Sequence, residues 1–475
     1  MSPGYPRFLP GLATLIALSA CSSTAYTPRP LDPEASSSAF LARSADVDGL
    51  KRFAAANGYA PDAWPPDQWG LKDLTLIALY FHSDIRIARL RAAIARAELA
   101  TLAQPQSLSG RLKPEYHSRE LPDNKGPWSL GLEFEIPLVA QGKRAARTER
   151  GGFLADAADI DIANAAWIVR SHVRDRYLDL QAGSETLAAL DAQLAARREM
   201  LGMVGRRVEA GILSAREYGA ERVAVSQLEL SRSQVQASQQ RALGELAAAL
   251  GLSLEVVERM KLRLDTQVGA GIDADNGAMR RLALRNRLDV HRRLLEFGAA
   301  DADVKVAVAA QNPDITLGPG YMWDQGDNVW SLAIGLSIPP AGRAQAAIRE
   351  AQARRELAAE QFAATQEDAI ALSERASAQY RLARGRTAAA ERQMQVQRDQ
   401  ETRVTRQFDS GAADRMQRLA AHLDTLAAGT ALRMANVDLR QALAQLEDAV
   451  QRPLLGDFES LPDVRASRSS GRSMR

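Results

Sequence analysis

Trp128-Ser-Leu-Gly-Leu-Glu-Phe-Glu-Ile-Pro137 alternates without a break. Trp128, Leu130, Leu132, Phe134 and Ile136 are apolar, and Ser129, Gly131, Glu133 and Glu135 lie between them. At an offset of 202 residues, Trp330-Ser-Leu-Ala-Ile-Gly-Leu-Ser-Ile-Pro339 does the same. Period-2 alternation of this length is the mark of a strand with one apolar face. It also matches the roughly 9–11 residues of a strand that crosses a bilayer. The two stretches therefore predict membrane-crossing strands of a β-barrel.

Each has a companion. Ile315, Leu317, Pro319, Tyr321 and Trp323 alternate with Thr316, Gly318, Gly320 and Met322, and Asp324–Asn328 reads as the turn into Trp330. In the first half, Leu112, Pro114 and Tyr116 alternate with Lys113, Glu115 and His117, a shorter and less apolar copy. The loop that follows, Glu120–Pro127, carries Pro122, Asn124 and Gly126. The predicted strands cover about 112–119, 128–136, 315–323 and 329–338. Trp128, Trp323 and Trp330 sit at strand ends beside polar loops, where membrane barrels carry aromatic girdles; packing in an ordinary core is the other reading.

The strand pairs belong to a longer repeat. Ala78-Leu79 and Asp84-Ile85 recur as Ala283-Leu284 and Asp289-Val290, and Arg206…Gly211 recurs as Arg406…Gly411. No proline occurs between Pro137 and Pro313 or between Pro340 and Pro453. An interior proline costs a helix about 3 kcal/mol, so such spans suit long unbroken helices. A helix over 140–210 would be about 100 Å long. Ile168, Val173, Tyr177, Leu180, Leu187, Leu190 and Leu194 recur at helical spacing, which also fits a plain coiled coil. Each half reads helix, strand, strand, long helix, turn, long helix. Gly211 and Gly411 fit helix ends that need a left-handed residue.

Four strands cannot close a membrane barrel, which needs at least eight, so such a chain must oligomerise.

The N-terminus reads as an export signal. Arg7 precedes an apolar run from Phe8 to Ala20, too short for a membrane helix, ending in Leu18-Ser19-Ala20-Cys21. Cys21 is the single cysteine of the chain, so no internal disulfide framework exists. The Ser, Pro and Asp-rich stretch to Pro66 reads as an extended tether with a short helix near 39–57, and the Ser/Arg-rich stretch 453–475 as a disordered tail. The resulting organisation is 1–20 signal, 21–66 tether, 67–265 first repeat, 266–452 second repeat and 453–475 tail.

Several function classes are excluded. With 60 basic and 58 acidic residues the net charge is +2, which leaves no nucleic-acid footprint. His82, His117, His172, His291 and His422 show no zinc-ligand spacing, and no phosphate loop or nucleophile elbow is present. No catalytic residue, metal ligand or cofactor is expected.

In this order, the motifs resemble the TolC family of outer-membrane efflux proteins. They are the lipobox ending at Cys21, Asp84-Ile-Arg-Ile-Ala-Arg-Leu-Arg-Ala-Ala, the paired Ile-Pro strands followed by Gly142-Lys-Arg or Gly342-Arg, and Arg207-Val-Glu-Ala-Gly-Ile-Leu-Ser214. Trp167-Ile-Val-Arg170, Val173-Arg174 and Gly142-Lys-Arg-Ala-Ala-Arg147 look like the heavy-metal-efflux branch. The resemblance implies a mainly α fold with a transmembrane β part: a homotrimer with a twelve-stranded outer-membrane barrel and a periplasmic helical tunnel. It implies a passive efflux conduit for drugs, metal ions or other small molecules, with a palmitate-bearing Cys21. Its partners would be a periplasmic adaptor and an inner-membrane pump. Gly211, Ile212, Leu213, Ser214, Gly411, Ala412 and Ala413 would form the adaptor-facing tips. Arg406, Asp409, Asp414 and Arg415 are candidates for the gate, against the plainer reading as solvated caps. A lipid-anchored periplasmic adaptor or scaffold is the alternative function, separable by the duplicated strand pairs.

Overall fold

The computed structural model describes residues 26–60, 63–118, 126–138, 142–264 and 274–454. The signal segment, Cys21, most of the 120–127 loop and nearly all of the C-terminal tail lie outside them. The chain divides into two compact units, Met1–Arg43 and Ser44–Arg475. In the first, α1 (Pro33–Leu41) starts on Asp32, whose carboxylate accepts from the N–H groups of Glu34 and Ala35, and it buries none of its residues.

The second unit carries the repeat. After α2 (Asp48–Ala56) come α3 (Leu71–Phe81) and α4 (Ser83–Ala103), split at His82. Then follow β1 (Ser109–Tyr116) and β2 (Trp128–Leu138), then α5 (Lys143–Glu209) and α6 (Ala215–Leu250), and the short α7 (Leu254–Glu258). The second copy is α8 (Asn276–Asn286) and α9 (Leu288–Ala309), split at Arg287, then β3 (Asp314–Asp324), β4 (Asp327–Ser337), α10 (Ala341–Asp409) and α11 (Arg415–Val450). At 67 residues, α5 runs about 100 Å, the length expected from the proline-free span. Val173, Tyr177, Leu180, Leu190 and Leu194 are buried along it, but Ile168 points outward. Among the described residues, no helix is long and apolar enough to cross a membrane.

Two expectations are corrected. The described residues of 45–66 do not form an extended tether: Ala45, Leu50, Phe53, Ala54 and Trp64 are buried in the same core as Leu74, Leu76, Ile77, Val173 and Leu246. Trp64 and Trp69 stack edge to face, and the Trp64 indole donates to the Ala45 carbonyl. Apolar burial outweighs the composition that suggested a linker. The first strand begins three residues before its expected start and ends at Tyr116, because Ser109, Gly110 and Arg111 pair with Glu135, Phe134 and Glu133.

All four strands form one antiparallel sheet in the order β1-β2-β3-β4. β3 and β4 join through Gln325 (φ 51°) and Gly326 (φ 103°). Positive φ at both central residues is the type I′ geometry that matches strand twist.

Two buried features join the halves. Met200, Met203 and Val204 of α5 pack on Leu419 and Leu423 of α11 near the hairpin ends. Farther up, α5 and α11 share charges in the interior. Glu447, fully buried, accepts from Arg170 and from Arg174 Nη1 at 3.2 Å. Asp448 accepts from Arg174 Nη2 at 2.6 Å, Ser171 Oγ at 2.6 Å and the Trp167 indole at 3.2 Å. Burial works against the Arg174 charge, but the hydrogen bond to Asp448 and the fields of Asp448, Glu447 and Asp175 outweigh it and hold the guanidinium above its ordinary value. Trp167, Arg170 and Arg174, picked out in the sequence as a motif, rivet the two repeats together in the fold.

Candidate functional site

The register of the sheet decides which side each side chain takes. Leu112, Leu132 and Tyr321 lie in one row, as do Pro114, Leu130 and Trp323; Leu317 faces Ile334, and Tyr321 faces Trp330. Every charged residue of the strands falls on the opposite face: Arg111, Lys113, Glu115, Glu133, Glu135, Asp314, Asp324 and Asp327. The apolar face is bare, with Trp330 at 79%, Leu332 at 65% and Ile334 at 69% exposure. One uncharged, uncovered apolar side extends across all four strands, the pattern of a sheet against lipid.

The expected aromatic residues gather at one end of that face. Trp128 packs its ring 5.0 Å from Tyr116, and Trp330 lies 4.8 Å from Tyr321. Trp323, opposite Leu130, lies in the row between theirs, toward the loop end and not the helix end. On the charged face, Glu133 lies 3.1 Å from Lys113 and 3.6 Å from Arg111, while Ser109 donates to Glu135. Ser337, expected on this side, is there beside Asp314. Lys143, at the start of α5 and buried, donates to the Asn312 carbonyl and to Asp314, both at 2.9 Å. It locks the sheet-to-helix junction and was legible only as part of a Gly-Lys-Arg motif.

At the far end of the long helices, both tips are built alike. Gly211 (φ 71°) donates to the Val208 carbonyl and Ile212 to the Arg207 carbonyl. Gly411 (φ 78°) and Ala412 bond to Phe408 and Gln407 in the same way. This paired closure satisfies the last carbonyls of each helix and requires a left-handed residue at the glycine. Each following helix opens with a reciprocal cap. The Ser214 N–H donates to Glu217, and Gln417 and Asp414 exchange side-chain and backbone bonds at 2.8 Å. The bond from the Ser214 N–H holds the Glu217 carboxyl below its ordinary range.

The four gate candidates separate into two pairs. Asp414 binds Arg207 of α5 at 2.9 Å, and Arg415 binds Glu199 of α5 at 2.7 Å. Arg406 and Asp409, in the last turn of α10, are exposed and have no ion pair among the described residues. The partners of Asp414 and Arg415 escaped the sequence because nothing in one hairpin says which helix of the other it will touch. The Asp414 carboxyl is held below its ordinary range, first by the Gln417 N–H and then by Arg207. A depressed carboxyl contributes its stability above the ordinary range and loses it as pH falls through the lowered value. The cap and the pair are therefore intact at neutral pH.

Comparison with known proteins agrees with this geometry. The model of the family described as outer membrane efflux protein matches residues 84–252 and 279–450. Nodulation protein T of Rhizobium leguminosarum bv. viciae is 25% identical over 228 residues, which are 44% of this chain and 45% of that protein, so the match spans under half of the relative. The fold is shared with the outer membrane protein VceC of Vibrio cholerae, at 19% identity and a TM-score of 0.66, covering 80% of this chain and 95% of that one. It is shared with the outer-membrane channel OprN at 20% identity and a TM-score of 0.66, covering 91% and 100%. The CmeC outer membrane channel of Campylobacter jejuni gives 16% and 0.65 over 83% and 87%.

Proposed function

The chain belongs to the outer membrane efflux protein family, and from that membership we propose that it is the passive exit duct of a tripartite efflux system, working as a homotrimer. The observation that carries the reading is the bare apolar face of a sheet too small to close alone. Three chains supply twelve strands, enough for a barrel, and leave no lipid-exposed backbone edge. The apolar face then meets lipid, with Trp128, Trp323 and Trp330 as a girdle at the outer end. Glu133, Glu135 and Ser337 face the water-filled lumen, and the long helices continue the duct into the periplasm. A lipid-anchored adaptor or scaffold has no use for such a face, and the family assignment favours the channel over it. Transport energy comes from an inner-membrane pump, reached through a periplasmic adaptor that meets Gly211–Ser214 and Gly411–Ala413. The exported substrate is a drug, a metal ion or another small molecule.

The α5–α11 ion pairs at the tips hold the periplasmic end narrow. Neutralising Asp409 and Asp414 together with Asp409→Asn and Asp414→Asn should raise single-channel conductance in planar bilayers. Asparagine caps a helix about as well as aspartate, so the tip keeps its fold while the pair with Arg207 loses its charge. Unchanged conductance removes both residues from the gate.

Cys21 is proposed as the lipidated first residue after signal cleavage. Acyl chains contribute about 0.8 kcal/mol per buried CH₂, so a multiply acylated terminus is a stable second anchor. Radiolabelled palmitate should enter the wild-type chain and not the Cys21→Ala variant, which stays in the outer membrane through its barrel. Equal labelling of both ends the proposal.

A further inference from the structure

We infer that the ion preference of the channel is set at its outer mouth, by Glu115, Asp324 and Asp327, and not at the periplasmic tips. The inference rests on the barrel reading above, in which the charged face of the sheet lines the pore. The register fixes the depth of every residue on that face. Glu115 lies opposite Ser129, Ser129 opposite Asp324, and Asp324 opposite Asp327. These four residues form one level across the four strands, at the loop end.

Below that level the charges cancel. Arg111 and Lys113 are two cations beside two carboxylates, Glu133 and Glu135, and Glu133 pairs with both cations. At the helix end Asp314 is neutralised by Lys143 at 2.9 Å. The mouth level has no such balance. It holds three carboxylates and a serine, and among the described residues its one basic neighbour is His117, whose Nε2 is 3.9 Å from Asp324 and 3.1 Å from Ser129 Oγ. Asp324 accepts from Ser129, and Asp327 from the N–H of Asn328, contacts that leave both charges in place. Glu115 has no ion pair among the described residues. The segment between His117 and Trp128, which lies mostly outside the described residues, carries two charges of each sign in its sequence, Arg119, Glu120, Asp123 and Lys125.

Three chains would therefore place nine carboxylates in one ring, the single uncompensated charge along the strands. The tips offer no equivalent, since Asp414 and Arg415 are each matched across the hairpins and Arg406 and Asp409 are of opposite sign within one turn. A ring of like charge at a pore mouth concentrates counter-ions and repels co-ions.

The test is the K⁺ to Cl⁻ permeability ratio of the full-length channel in planar bilayers under a KCl gradient. A mouth potential of about one kT, low against the several kT that charged clefts reach, enriches K⁺ and depletes Cl⁻ alike and gives the wild type about a seven-fold preference for K⁺. The triple variant Glu115→Gln, Asp324→Asn, Asp327→Asn should bring the ratio close to one. Glu115→Gln alone removes no hydrogen bond and should fall between, which keeps the test decisive if the triple variant fails to assemble. Removing a matched pair whole, with Asp414→Asn and Arg207→Gln, takes one charge of each sign from the tip and should keep the wild-type ratio whatever it does to conductance. Raising the salt from 0.1 M to 1 M should flatten the preference, because the screening length shrinks from about 10 Å to about 3 Å. A non-selective wild type, an unaltered ratio in the mouth variants, or loss of preference in the tip variant overturns the inference. A wild type that does not conduct at all overturns the channel reading instead.

Discussion

Glu447→Ala should cost the folded chain about 3–5 kcal/mol, the usual penalty for removing one partner of a buried ion pair. Glu447 is fully buried and holds two guanidiniums, Arg170 and Arg174, each about 1% exposed. Alanine strands the Arg170 charge where water cannot reach, while Arg174 keeps Asp448 and Asp175. It also frees the Leu454 N–H, which donates to Glu447 at 3.1 Å. The loss should appear as low outer-membrane yield and rapid proteolysis between the repeats. The comparison that isolates charge from packing is the triple change Arg170→Met, Arg174→Leu, Glu447→Leu. Replacing a whole buried ion cluster with apolar groups is often neutral or stabilising, so the triple variant should recover much of the yield. Asp448 stays half-exposed and keeps Ser171 and Trp167, so it tolerates the change. If Glu447→Ala behaves as the wild type, the cluster is not a rivet between the repeats.

The second large effect separates the two faces of the sheet. Leu332→Arg puts a guanidinium on the apolar face near mid-strand, where a lipid-facing arginine costs about 2–4 kcal/mol per chain. In a trimer the cost is met three times. Ser331→Arg, one residue away, points to the other side, level with Arg111 and Glu133 and opposite Gly320, which leaves room. Ser331→Arg should reach the outer membrane as assembled trimer, and Leu332→Arg should not. Trimer bands in unheated electrophoresis of outer-membrane fractions read both. Equal assembly of the two variants means that the exposed side does not meet lipid.

Much of this architecture was legible because its parts repeat a simple period. The Trp-Ser-Leu strands alternate over five apolar positions, and alternation fixes a face without knowledge of any neighbour. The long helices were legible from missing prolines, and the tips from Gly211 and Gly411, since a left-handed helix end leaves few choices. What stayed hidden depends on contacts between distant segments. The packing of 45–66 follows from Leu50, Phe53 and Trp64 finding a core that α3 and α5 build. Glu447, Arg207 and Glu199 acquire roles only once α5 lies against α11. Ile168 fits the helical spacing yet faces out, because a helix that packs on several neighbours in turn does not keep one buried stripe.

The contact of α5 with α11 also bears on stoichiometry. In the proposed trimer, twelve helices from three two-repeat chains would make a ring that is six-fold only by approximation. The first tip presents Ile212 at 68% exposure beside Leu213, whereas the second presents Ala412 and Ala413 at the same positions. Six identical partners arranged around the ring would meet two unlike kinds of seat in alternation, and three would meet only one kind.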